Sequence, residues 1–468
     1  MSPRLLAAAA AALIAFAACP AVAAAHGLVG KQDLPIPKWL FGWAASLVLV
    51  LSFAALAVSW STPRLQAVRD RLVTRLPRAL DALCGAIGVA LFAFLIYAGF
   101  AGLQSAQANI VPTFVYVVFW VGVPLVSALL GDVFRPFNPW RAVGRLVGWT
   151  TARLTREPMP PALDYPERLG RWPAAVGIFA FTWVELAFVG RDDPSKLAVL
   201  ALVYAAVQLV GMSLYGVRRW SERADPFGVY FSLFARLSPL HGRRDGLYAR
   251  PPLSGAPRLT PLPGTVALLC VMIGTTSFDG FSLGGLWRPL ASPLQDEFVA
   301  LGVGQATALE LTMTLGLLAG VAVVAAMYWL GIDGVRSVTG GSRRELAGSF
   351  VHTLIPIALA YVTAHYFGLL SYQGQAVAAL ASDPLGDGWD LFGTAGSSID
   401  YNWISADGIW YVQIGAVIVG HVGGLILAHD RAIARWSDPR TALRSQYWML
   451  AVMVGYTCLA LWLLSGSA

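Results

Sequence analysis

The feature that most constrains this 468-residue chain is an alternation of apolar runs with arginine-rich and arginine-poor connections. The apolar runs fall at about 39–60, 80–103, 112–131, 173–190, 197–217, 264–280, 300–330, 348–372, 409–428 and 447–465. Each approaches the ~20 residues a helix needs to cross a hydrocarbon core, with 173–190 and 264–280 the shortest. The connection 61–79 carries Arg64, Arg69, Arg71, Arg75 and Arg78, and those after the third, fifth, seventh and ninth runs are arginine-rich too. The connections between them are neutral or acidic. Segment 373–408 has Asp383, Asp387, Asp390, Asp400 and Asp407 without a Lys or Arg. Cytoplasmic loops collect Lys and Arg, so the pattern predicts an all-α polytopic membrane protein of about ten transmembrane helices. Both mature termini are then expected outside and the arginine loops in the cytoplasm.

Composition agrees. A hydrophobic share of 57% with 13% charged residues excludes an ordinary soluble domain. The formal charge of +7 sits in the arginine loops, so no nucleic-acid partner is expected. Residues 1–25 combine Arg4, an alanine-rich apolar stretch and Ala23-Ala24-Ala25, the pattern of a cleaved signal peptide. Cleavage there makes His26 the new amino terminus and leaves 26–468 as a single transmembrane helical domain. The cysteines (Cys19, Cys84, Cys270, Cys458) show no metal spacing and predict no disulfide framework. Asn138-Pro139, Asp225-Pro226 and Asp438-Pro439 echo one another as helix starts, an Asx cap followed by Pro at the first helical position. The first two predict interfacial helices near 139–148 and 226–237, consistent with an internal repeat.

Chemistry is expected where charge enters apolar runs. In 348–372, His352 and His365 flank Pro356, and His365 shares a helix face with Tyr361, Gly368 and Tyr372. Converting position to depth places Glu185, Asp279, Glu310 and His365 in one outer stratum, with Thr275, Thr276, Thr307 and Thr314 nearby. His352, His421 and His429 fall deeper. One reading of the stratum is helix assembly through hydrogen bonds. The other is a water-filled cavity holding a divalent, zinc-like cation on Asp279, Glu310 and His365, with Glu185 and Glu310 as catalytic carboxylates. No HExxH motif accompanies it.

The run HGLVGKQDLPIPKWLFGWAASLVLVLSF at 26–53, the multi-span layout after it, and GDVFRPFNPWRA at 131–142 resemble bacterial membrane proteins known as fenitrothion hydrolases. The resemblance extends over the mature chain. It implies hydrolysis of organophosphate triesters with release of a nitrophenol, a bacterial cytoplasmic (inner) membrane location and a lipophilic small-molecule substrate reaching the site from the bilayer. It carries no catalytic motif that maps residue by residue. Such a reaction suits a metal-bound water, with Glu185 accepting its proton. Two other readings stand beside it: a proton- or cation-coupled transporter with hinges at Pro356, Gly284-Gly285 and Gly423-Gly424, or a copper or haem protein using His26, His365, His421 and His429. A second subunit or a homo-oligomer is compatible with each.

Overall fold

The structure is a computed structural model that describes residues 38–157, 161–243 and 245–466. The expected signal peptide and His26 lie outside the described residues. In chain order the main elements are α1 (Lys38–Ser59), β1 (Arg71–Thr74), α2 (Arg78–Ala101), α3 (Ile110–Leu130), α4 (Pro139–Thr155), α5 (Trp172–Leu186), α6 (Pro194–Tyr215) and α7 (Pro226–Ala235). Then follow β2 (Leu240–Arg243), β3 (Gly246–Ala249), α8 (Thr265–Ser282), α9 (Trp287–Ala300), α10 (Gln305–Thr339), α11 (Leu354–Ser382), α12 (Ala406–Arg435) and α13 (Pro439–Gly466).

The protein is an all-α polytopic membrane protein. Among the described residues, eight helical stretches are long and apolar enough to cross a membrane by length and composition. Two of the ten expected spans, 173–190 and 447–465, fall outside that count. The first is α5, which has only 15 residues and is short of a full crossing; the second is α13. Burial separates centre from rim. The span in α8 is 72% buried and the stretch that includes α11 is 78% buried, against 17% for α2. On α1, α2 and α6, exposed Leu47, Leu51, Leu83 and Val203 present the apolar surface that hydrocarbon, rather than water, solvates.

Backbone contact between α11 and α12 is made by glycines. A Cβ at Gly420 would stand 2.3 Å from the Ala360 Cβ, and one at Gly424 would stand 2.9 Å from the Thr353 carbonyl. Gly424 thus permits close packing, the role small residues take between membrane helices.

The 226–237 expectation needs correction. Helix α7 does not present the exposed amphipathic face expected of a helix lying on a membrane surface: eight of its ten residues are buried. Its rings pack into an aromatic core, with Phe227 at 4.8 Å from Phe119 and 5.0 Å from Phe181 between centroids. The caps behind the sequence echo do meet. Asn138 Nδ2 donates to Asp225 Oδ2 at 2.8 Å, while Tyr204 and the Gly228 N–H donate to Asp225 Oδ1 at 2.6 and 3.1 Å. Helix α4, buried only at Pro139 and Trp140, keeps the amphipathic character expected of the first segment.

The arginine-rich end also holds a small antiparallel sheet of order β1-β3-β2, with Arg71 opposite Ala249 and His241 opposite Tyr248. Asp70 ties it together through Arg258 at 2.8 Å, His241 and Arg243. Nearby, residues 254–257 form a buried loop whose carbonyls have no ladder to join. Arginines supply donors: Arg236 reaches the Gly255 carbonyl and Arg431 that of Pro257, while Arg171 bonds the Thr260 carbonyl just beyond the loop. Irregular backbone in an apolar setting requires such partners.

Candidate proton-handling site

Three helices bring ionisable groups together near the arginine-poor end. Glu185 sits at the end of short α5, Asp279 in the last turn of α8 and His365 in the middle of α11. His365 Nε2 and Asp279 Oδ2 are 2.7 Å apart, and both side chains are 13% exposed. That bond fixes the ring and uses one of its nitrogens. Tyr366 stands edge-on to the imidazole, with centroids 4.7 Å apart.

Around the Glu185 carboxylate are the charged Asp279 and Arg191, with Tyr366 and Trp120 placed as its hydrogen-bonding neighbours. Among the described residues, the buried Glu185 Oε2, Trp120 Nε1 and Tyr230 hydroxyl make no hydrogen bond of close, well-aligned geometry. Trp120 stacks on Tyr230 at 4.7 Å and 14°. Buried polar atoms held only at long range are costly and uncommon, so the Glu185–Trp120 neighbourhood stands out.

The presentation of Trp120 has a local cause. Residues Phe114–Gly122 of α3 form a π-helix, in which the Val123 N–H reaches back five residues to the Val118 carbonyl. Pro124 has no N–H for the Trp120 carbonyl four residues earlier, so the regular ladder fails here. π-Segments of this kind are frequent at functional sites. On α8, Thr275, Thr276 and Ser277 donate to the carbonyls of Val271, Met272 and Ile273, which leaves their oxygens as acceptors. A cavity of about 20 Å³ lies beside His365, lined also by Thr276, Ser277, Tyr361 and Val417. It has room for about one water molecule.

Glu310 goes elsewhere. Its Oε1 accepts the Val189 N–H at 3.2 Å, satisfying backbone just past α5, while Trp183 donates to Thr314 at 2.7 Å. Among the described residues no group of three or more His, Cys, Asp or Glu side chains is placed to share a metal ion. The expected set of Asp279, Glu310 and His365 therefore does not assemble: Asp279 and His365 meet, Glu310 does not join them, and Glu185 takes its place as the nearby carboxylate. Depth along a helix is legible from sequence, but the direction a side chain takes around the axis depends on packing.

The deeper histidines also separate. His429 spends both ring nitrogens, Nδ1 on Gln446 at 2.9 Å and Nε2 on the Trp60 carbonyl at 3.0 Å. In this arrangement both nitrogens hold protein groups together. His421 bonds the Val417 carbonyl through Nδ1 at 2.7 Å, and its Nε2 is buried and unpartnered. Sequence reasoning missed Trp120, Tyr230 and Tyr366. The available signals were Pro124, four residues past Trp120, and Tyr366 adjoining His365.

No family model, curated protein or solved structure matches the chain.

Proposed function

We propose that the protein is a proton- or cation-coupled membrane transporter in which Glu185, Asp279 and His365 exchange protons, with Tyr366 and Trp120 shaping the Glu185 environment. The observation that carries the reading is the part-buried 2.7 Å pair of His365 and Asp279 near the Glu185 carboxylate, whose Oε2 makes no close hydrogen bond among the described residues. Two carboxylates and an imidazole in an apolar interior share protons among themselves, which is the arrangement proton relays use. The water-sized cavity suits a proton or small cation. In the proposed orientation the arginine loops face the cytoplasm of a bacterial inner membrane and the site opens toward the outer face.

A pH jump on proteoliposomes adsorbed to a solid-supported membrane tests this directly, because proton binding alone displaces charge. Glu185→Gln and His365→Ala are expected to reduce the transient current at least ~10-fold, the size of effect proton-carrying groups have. Glu310→Gln should leave it intact, since the amide oxygen still accepts the Val189 N–H. An unchanged current in Glu185→Gln rejects the reading.

A second reading, hydrolysis of an organophosphate triester, is favoured by the same His365–Asp279 pair. A carboxylate that orients an imidazole is what general-base activation of water requires. The cavity beside His365 is too small for an aryl triester, so this reading needs the substrate to enter from the bilayer against displaced side chains. Release of nitrophenol from fenitrothion by detergent-solubilised protein, lost in His365→Ala, would establish it. Absence of turnover with intact pH-jump currents would exclude it.

A further inference from the structure

The cavity beside His365 is bordered on its far side by groups that lead to a second buried imidazole. Tyr361, one turn before His365, lines the cavity and lies 6.2 Å from His421 between ring centroids. Val417 also lines it, and the Val417 carbonyl is the acceptor that holds His421 Nδ1. That bond assigns the ring proton to Nδ1 and leaves Nε2 as the imine nitrogen, a proton acceptor. This Nε2 is fully buried and has no hydrogen-bond partner among the described residues. The Tyr361 hydroxyl donates to the Tyr456 carbonyl at 3.1 Å, so its oxygen retains lone pairs. Tyr361, on α11, is the titratable neighbour shared by the cavity and His421.

We infer that His421 is an inner proton-accepting site that exchanges with the Asp279–His365 pair through a water held in this cavity. The inference rests on the proton-handling reading and extends it from one cluster to a route. One proton leaves the His365 pair for the water, and the water passes one of its own to His421 Nε2. An N–H bond breaks at the first ring and another forms at the second. One positive charge moves inward and no other bond changes. The close approach at Gly420 keeps His421 beside Tyr361, since a Cβ there would collide with Ala360.

Exchange of histidine Cε1–H with deuterium reports ring protonation and water access for each histidine separately. The full chain in lipid nanodiscs, followed by mass spectrometry in D₂O, should show His421 exchanging at least ~10-fold faster than His429, whose nitrogens are both bonded to protein. Ala364→Leu and Ala460→Leu fill the cavity from different helices, so a folding failure in one leaves the other. Each is expected to bring His421 down to the His429 rate. Wild-type exchange at His421 no faster than at His429 overturns the proposal, as does fast exchange that survives both substitutions. Loss of the Glu185→Gln effect in pH-jump currents would instead count against the transport reading, and the exchange result is independent of it.

Discussion

Two buried carboxylates at opposite ends of the molecule show how differently such a group can be used. Asp430 at the arginine-rich end is fully buried and fully bonded. Its Oδ1 accepts Trp60 Nε1, the Arg64 N–H and the Leu65 N–H at 3.1, 2.6 and 3.2 Å, and Oδ2 accepts Gln66 Nε2 at 2.7 Å. It fastens the connection after α1 onto α12. Glu185 at the other end has Tyr366 and Trp120 as hydrogen-bonding neighbours, yet among the described residues its Oε2 makes no close hydrogen bond. A saturated carboxylate holds structure, whereas an unsaturated one beside an imidazole has capacity to take and give a proton. Burial of charge alone therefore does not identify function; the donor count does.

The largest effect that would sharpen this contrast is expected at Asp430. Asp430→Ala strands several donors in the interior, each costing about 1–3 kcal/mol, so a loss of at least about 3 kcal/mol is expected. Thermal unfolding in detergent measures it. If Asp430→Ala and Glu185→Gln were equally destabilising, the division between structural and functional carboxylates would fail. An intermediate effect is expected at Gly420→Ala, where the added methyl meets Ala360 at 2.3 Å and the Pro356 carbonyl at 2.7 Å. Overpacking of this kind costs about 1–3 kcal/mol. Unaltered melting of that variant would show that α11 and α12 yield more easily than their contact implies.

The smallest effect concerns Asp70, which lies outside the spans. Hydrogen bonding from Arg258, opposed by burial and aided by the charges of Arg258, His241 and Arg243, holds its carboxyl below the usual aspartate value. A depressed folded value means the stabilisation is present above the unfolded value of ~3.9 and is lost as pH falls through the folded one. The Tm difference between wild type and Asp70→Asn should accordingly be modest at neutral pH and narrow as the pH is taken below about 4. A difference independent of pH would show that shape, not charge, ties Asp70 to the sheet.

Much of this architecture is legible in the chain. Apolar runs set the helices, since hydrocarbon tolerates only backbone that bonds within itself. Asn138-Pro139 and Asp225-Pro226 marked real helix starts, with Asn138 Oδ1 accepting the Arg141 N–H. The arginine pattern carried a second meaning that sequence does not expose. Arg236 and Arg431 also satisfy carbonyls of a buried loop, a role that exists only once the loop has folded inward.

The sequence by itself determined the helical class, the approximate helix boundaries and the placing of Glu185, Asp279, Glu310 and His365 in one depth range, because those follow from hydropathy and a constant rise per residue. Only the tertiary structure decided that Asp279 meets His365 while Glu310 turns to Val189, that α7 is buried, and that Trp120, Tyr230 and Tyr366 enclose Glu185. The physical reason is that rotation about each helix axis is set by packing against neighbours, through glycine contacts and the π-segment of α3, which no single helix encodes.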